Sequence, residues 1–211
     1  MSRLLSTVLV VLAASCGEPS ERSVEGNILR SQRRPAIAME FDKTLTYVGS
    51  QEFVLYDRAR VDQHFFIEDV NGVIKRLYWI QFEGYLENNA YVYNYSKLPT
   101  IRIAGHEFHN NSGFAQIPEE MPEDDSDQAH ATAFLYDRGY QFAREGMFQR
   151  MIWLWDESAR NELMIIYVED LGEYGYVAAD FEEGGKAFDR RDSITTALLD
   201  RALEGMKISD G

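Results

Sequence analysis

The chain has 211 residues, 45% of them hydrophobic and 13% aromatic, which is enough to bury the core of one domain. Its 21 Lys and Arg against 35 Asp and Glu leave a net charge of −14. Such a chain repels phosphate backbones and anionic lipid surfaces, which argues against nucleic-acid partners. The single cysteine excludes an intramolecular disulfide and a cysteine zinc cluster.

Arg3 and the free amino group make a short basic start, followed by an apolar run from Leu4 to Ala14. That run is too short to span a bilayer as a helix, and its flanks suit a cleaved secretory signal. It ends Leu12-Ala13-Ala14-Ser15-Cys16. This stretch resembles the lipobox of bacterial lipoproteins, in which the cysteine receives diacylglycerol and becomes the mature N-terminus. The resemblance stops at Cys16 and implies a lipid-anchored envelope location, not a fold or an activity. One departure is Ala13 three residues before the cysteine, where leucine is usual; Leu12 stands one place earlier. Gly17, a non-aspartate after the cysteine, implies outer-membrane sorting, with the domain facing the periplasm. The alternative is an ordinary signal cut after Ser15, which leaves a soluble periplasmic or secreted protein.

Residues 16–36 mix charge with Gly, Pro and Ser and show no hydrophobic period, so they read as a flexible tether. The division is then a signal peptide over 1–15, the tether over 16–36 and a single globular domain over 37–209. Strand patterns follow at Met39–Asp42 and at Thr44–Val48, the latter ending in a Gly49-Ser50 turn, and resume at Glu52–Tyr56. Residues 58–86 read as a hairpin folded at Asn71-Gly72, the dipeptide best suited to a two-residue turn with positive φ at both positions. With Val70 opposite Val73, an unbroken register pairs Glu68 with Lys75, Phe66 with Leu77, His64 with Trp79, Asp62 with Gln81 and Arg60 with Glu83. Tyr91, Tyr93 and Tyr95 alternate along one face, and Thr100–Ile103 is a short strand.

The acidic stretch 118–127, PEEMPEDDSD, lacks the spacing of an EF-hand and suits helix entry, where carboxylates and Ser126 cap free N–H groups. The helix it introduces runs over about 127–138 and stops at Gly139. Residues 147–155 and 163–168 are apolar runs that form a second hairpin, although a helix over 147–155 also fits the spacing. Asp192-Ser193 caps an amphipathic helix over 193–207, with Leu198, Ala202 and Met206 among its apolar residues. The expected fold class is therefore α+β, an antiparallel hairpin-rich sheet packed by two helices.

No phosphate-binding glycine loop, nucleophile elbow or dinucleotide fingerprint is present. Gly105-His106-Glu107-Phe108-His109 misses the zinc-protease spacing by one residue, so no metal ligand and no cofactor is assigned. The unbroken register gathers Arg60, Asp62, His64, Gln81 and Glu83 on one face beside Trp79. That grouping is the candidate ligand site, with Arg60 or His64 fixing an anion and Trp79 as a flat wall. The aromatic content also allows an apolar cavity, although filling the core is the commoner use. The expected function is a non-enzymatic envelope binding module for a small ligand, hydrophobic molecules included, or for a partner protein. A hydrolase using dispersed carboxylates and histidine is the alternative, and a purely structural envelope protein is the third reading. The sequence leaves the oligomeric state open.

Overall fold

Long strands dominate because aromatic and β-branched residues recur at period two through much of the chain. The computed structural model describes residues 21–32, 34–117 and 124–211. The expected signal peptide, Cys16 and residues 118–123 of the acidic stretch lie outside the described residues. Three short strands come first, β1 (Arg22–Glu25), β2 (Ile28–Ser31) and β3 (Ile37–Phe41), and the longer β4 (Thr46–Leu55) follows. The long hairpin follows as β5 (Ala59–Val70) and β6 (Val73–Tyr85), then β7 (Thr100–Ile103) and β8 (His106–Gln116). Helix α1 (Asp127–Tyr136) leads to β9 (Gln141–Phe142), β10 (Glu145–Leu154) and β11 (Asn161–Asp170). Helix α2 (Arg191–Glu204) and β12 (Met206–Asp210) close the chain.

The strands form two sheets. The larger runs β4-β5-β6-β11-β10-β8-β7, with β9 paired in parallel to the start of β6; the smaller runs β1-β2-β3-β12. All other pairings are antiparallel, so the class is α+β as expected. One face of the large sheet packs on the small sheet and α2 through Phe66, Tyr78, Ile80, Phe41, Leu29 and Leu198. The rings of Phe41 and Phe66 stack at 4.2 Å, and Tyr78 meets Tyr167 at 4.6 Å, so these aromatics serve as core. The opposite face packs on α1 through Phe65, Leu77, Trp79, Phe134 and Leu135.

Several expectations need correction. Residues 22–31 are not part of a tether: they fold as the β1–β2 hairpin, and Leu29 is fully buried against the large sheet. Only Val24, Ile28 and Leu29 are apolar in that stretch, too few to show a buried strand in the sequence. Gly49-Ser50 does not turn the chain. The extra residue there is absorbed as a bulge in β4, and Gly49 takes φ +123°, where a Cβ would lie 3.1 Å from the Phe134 ring. Tyr91–Tyr95 is not a strand, and His106 and His109 lie on β8. The last helix begins at Arg191 without a side-chain cap and ends at Glu204. Met206, expected on that helix, opens β12 opposite Phe41 instead.

The other elements agree with the sequence. Ser126 caps α1 by accepting from Ala129 N at 3.1 Å, and Gly139 takes φ +84° just beyond the helix. Residues 147–154 are strand, paired with β11 as a hairpin. Helix α2 is held by Glu169, which accepts two bonds from Arg201 at 2.7 and 2.8 Å and one each from the Tyr167 and Tyr174 hydroxyls at 2.6 Å. Burial works to raise the Glu169 carboxyl, but these donors hold it below the usual carboxylate range.

Because Leu29 is core, Leu29→Ala should cost about 2–5 kcal/mol in urea unfolding. A midpoint equal to wild type would show that the β1–β2 hairpin is peripheral.

Candidate functional site

The hairpin turns at Asn71 (φ +54°) and Gly72 (φ +82°), and Val70 pairs with Val73 as expected. Asp69 then pairs with Ile74 but Glu68 with Arg76, so Lys75 is an extra residue on β6. From that bulge onward every partner moves by one, and side chains at a given β6 position change their neighbours across the strand. Phe65 now faces Trp79, Phe66 faces Tyr78, Ile67 faces Leu77 and Gln63 faces Gln81. Each of these pairs matches like with like, and Arg76 forms an ion pair with Glu68. Lys75 reaches Asp170 at 2.7 Å and Glu173 at 2.5 Å.

The bulge divides the candidate site read from the sequence. Arg60, Asp62 and His64 turn toward the small sheet; Trp79, Gln81 and Glu83 turn toward the α1 side. Arg60 lies opposite Gly84, not Glu83. Two separate polar clusters result.

On the small-sheet side, Asp62 (8% exposed) accepts from Arg22 Nη1 at 3.0 Å, and the Arg22 guanidinium lies 3.8 Å from the centroid of the Phe82 ring. His64 Nε2 is 3.0 Å from Asp62 Oδ1 but out of line for a hydrogen bond, while its Nδ1 is 3.2 Å from the Tyr47 hydroxyl. His64 is only 4% exposed and stands behind Asp62. Asp62, Arg22 and Arg60 line a groove of about 760 Å³ that also meets Phe82, Leu86 and Trp155. Arg34, Glu52 and Glu87 border the same groove. Among the described residues, the side chains of Arg34, Arg60, Glu52 and Glu87 form no ion pair or hydrogen bond.

On the α1 side a chain of amides crosses the sheet. Gln51 donates to Gln63 at 2.7 Å, Gln63 to Gln81 at 2.8 Å and Gln81 to Glu83 at 2.7 Å, and the Trp79 indole N–H donates to Gln81 at 3.1 Å. Gln51 and Gln63 also donate to the His130 and Asp127 carbonyls of α1, at 2.9 and 3.2 Å. At its far end Glu83 faces Glu162, the directly opposed residue of β11. The Tyr93 hydroxyl donates to Glu83 at 2.7 Å and the Tyr95 hydroxyl to Glu162 at 2.8 Å. Like charges directly opposed on paired strands are unfavourable. Burial and then the Glu83 charge push the Glu162 carboxyl up to about 8, with Tyr95 and Arg150 pulling the other way. Burial also raises Glu83, against the bonds from Tyr93 and Gln81.

Sequence reasoning missed Glu162 because it sits at the start of an apolar run and has no local motif. The signal that was available is the alternation of Tyr93 and Tyr95, whose two hydroxyls reach the two carboxyls. Among the described residues no group of three or more His, Cys, Asp or Glu is arranged to hold a metal ion. His106 stacks on Trp153 at 3.9 Å, and His130 pairs with Asp125 at 2.8 Å. Asp124 and Asp125 accept from the backbone of Ser126 and Tyr56, so of these three expected capping groups, Asp124, Asp125 and Ser126, it is Ser126 that accepts from a free helix N–H. Among the described residues no helix is long and apolar enough to cross a membrane.

The Glu162 carboxyl binds its proton more tightly in the folded than in the unfolded chain. Its burial therefore removes stability as pH rises from about 4.5 to about 8, by at most about 1.4 kcal/mol per pH unit. Glu162→Gln should flatten the fall in urea midpoint over that window; an unchanged pH profile would contradict the raised value.

No family model matches the chain, no curated protein matches it, and no solved structure matches it.

Proposed function

We propose that this chain is a non-enzymatic binding module of the bacterial cell envelope, anchored by lipid on Cys16 in the outer membrane and facing the periplasm. The observation that carries the reading is the groove of about 760 Å³, a ligand-sized space with apolar and charged groups on one wall. Trp155 and Leu86 supply flat apolar surface. Arg34 and Arg60 supply cations, and Glu52 and Glu87 anions, none of them committed to another described residue. Such a rim suits a small amphipathic molecule with both an anionic and a cationic group, and it suits a nucleic acid poorly at a net charge of −14. Glu21 lies on the groove wall, five residues after Cys16, and five extended residues reach at most about 18 Å. A lipid on Cys16 therefore keeps the groove near the headgroup layer. Of the residues expected from the sequence, Arg60, Asp62 and Glu83 border this groove, and His64 lies behind Asp62.

A hydrolase is the second reading, and the opposed Glu83 and Glu162 favour it, because acid–base chemistry uses carboxyls with displaced titration. Tyr93 and Tyr95 cover both, so the binding reading is the stronger. The test is native mass spectrometry of the mature chain purified from an envelope fraction, with the same sample weighed after denaturation. The expected result is a non-covalent adduct that is lost on denaturation. Its occupancy should fall about tenfold in Arg60→Glu, since a charged hydrogen bond contributes about 1.5–3 kcal/mol, and also fall in Trp155→Ala. A clean apo mass, or an adduct indifferent to both changes, would sink the groove as a ligand site.

A further inference from the structure

We propose that residues 86–99 form a proton-controlled latch on the groove wall, closed while Glu162 is protonated and loosened when Glu162 ionises beside Glu83. The latch rests on the groove being the binding site, and it names how that site is regulated.

The segment between β6 and β7 has no helix or strand of its own, and tertiary contacts hold it down. Arg160 Nη1 donates to the Asn89 and Tyr91 carbonyls at 2.9 and 3.0 Å, and its Nη2 donates to the Leu86 carbonyl at 2.8 Å. Tyr93 N donates to the Ala159 carbonyl at 2.7 Å. Tyr85 and Tyr93 stack at 4.4 Å, with Tyr95 next in line at 6.3 Å from Tyr93. The inward hydroxyls of Tyr93 and Tyr95 then end on the two carboxyls. The strap is thus tied at one side to the β10–β11 turn and at its centre to a pair of acids.

The same backbone forms the groove. Gly84, Tyr85, Leu86, Asn161 and Glu162 all lie on the groove wall, although Glu83 and Glu162 send their side chains to the other face. Tyr85 N donates to the Arg160 carbonyl at 3.0 Å and Leu86 N to the Arg58 carbonyl at 2.8 Å, so lifting the strap disturbs the wall directly.

The charged and titratable groups around the pair come from every neighbouring element. They are Glu83 and Tyr85 of β6, Tyr93 and Tyr95 of the strap, Arg150 of β10, Asp127 of α1 and His109 of β8, whose ring lies 5.9 Å from Tyr95. Arg150 is the cation that acts on Glu162, but its Nε is committed to Asn111 at 2.9 Å. Opening hydrates both acids, so the open form binds the Glu162 proton less tightly than the closed form. The open population then rises with pH between the ordinary carboxyl value near 4.5 and about 8, by up to tenfold per unit, and levels off above that. The groove should accordingly hold its ligand better in mild acid.

The test is hydrogen exchange read by mass spectrometry on the full chain at pH 6 and pH 8.5, corrected for the intrinsic rate. Protection over residues 85–99 should fall at least tenfold at the higher pH while β5 amides keep theirs. Glu162→Gln should abolish the difference. Tyr95→Phe keeps the carboxyl but removes the hydroxyl that reaches it, and it should lower strap protection about two- to tenfold at both pH values. Equal strap protection at both pH values in the wild type, a pH effect that survives Glu162→Gln, or an equal loss in β5 overturns the latch. The native-mass adduct, measured at the same two pH values, separates the two readings. An adduct of equal occupancy at both overturns the latch alone, whereas a responsive strap with no adduct at either pH overturns the groove as a binding site.

Discussion

Lys75, the extra residue on β6, sets the face occupied by every side chain further along that strand relative to β5. Side chains alternate across a sheet with period two, so one inserted residue exchanges the neighbours of all that follow. The bulge lets Phe65, Ile67, Leu77 and Trp79 share the face that meets α1. Phe66, Tyr78, Ile80 and Phe82 take the face that meets the small sheet. Without the bulge His64 would face Trp79 and Ile67 would face Arg76, so the aromatic and aliphatic pairs that meet the two covering layers would be broken up. The separation of the groove from the carboxyl pair is a consequence of the same residue.

Two buried acids illustrate what decides the state of a carboxyl in this protein. Glu169 is 3% exposed yet held low, because Arg201 donates twice and two tyrosines complete its shell. Glu162 is as buried as Glu169 but has one tyrosine donor and an acid opposite, so burial prevails and its proton is retained to higher pH. The number and charge of the donors that survive burial account for the difference, since desolvation acts on both. Amides extend the same network: Gln51, Gln63 and Gln81 satisfy one another across three strands and anchor α1, which a row of apolar residues would not orient.

The groove and the strap share the ends of β6 and β11, where the sheet is no longer covered by α1 and gives way to loops. Binding surfaces commonly sit on such loops because their backbone is free to move while the sheet beneath is not. In the proposed latch the strap is fastened by the Tyr93 and Tyr95 hydroxyls to Glu83 and Glu162, while the sheet beneath carries Arg60. A strongly acidic protein gains little attraction for anions at long range, so the recognition proposed for this groove rests on contact with individual guanidinium groups.

Local chemistry in the sequence determined much of the architecture. Asn71-Gly72 dictates the central turn, Ser126 and Gly139 bound α1, and the apolar runs after residues 147 and 163 pair as a hairpin. These signals lie within a few residues of their effect, which is why they can be read without the fold. Leu29 in the core, Met206 in a strand, the Lys75 bulge and the meeting of Glu83, Glu162, Tyr93 and Tyr95 were decided only by the tertiary structure. Each depends on a partner distant in the chain: β3 for Met206, the large sheet for Leu29, and two strands and a loop for the acid pair. Arg60, Asp62 and His64 share one face because alternation along one strand is local; Trp79, Gln81 and Glu83 fall on the opposite face because register across two strands is not.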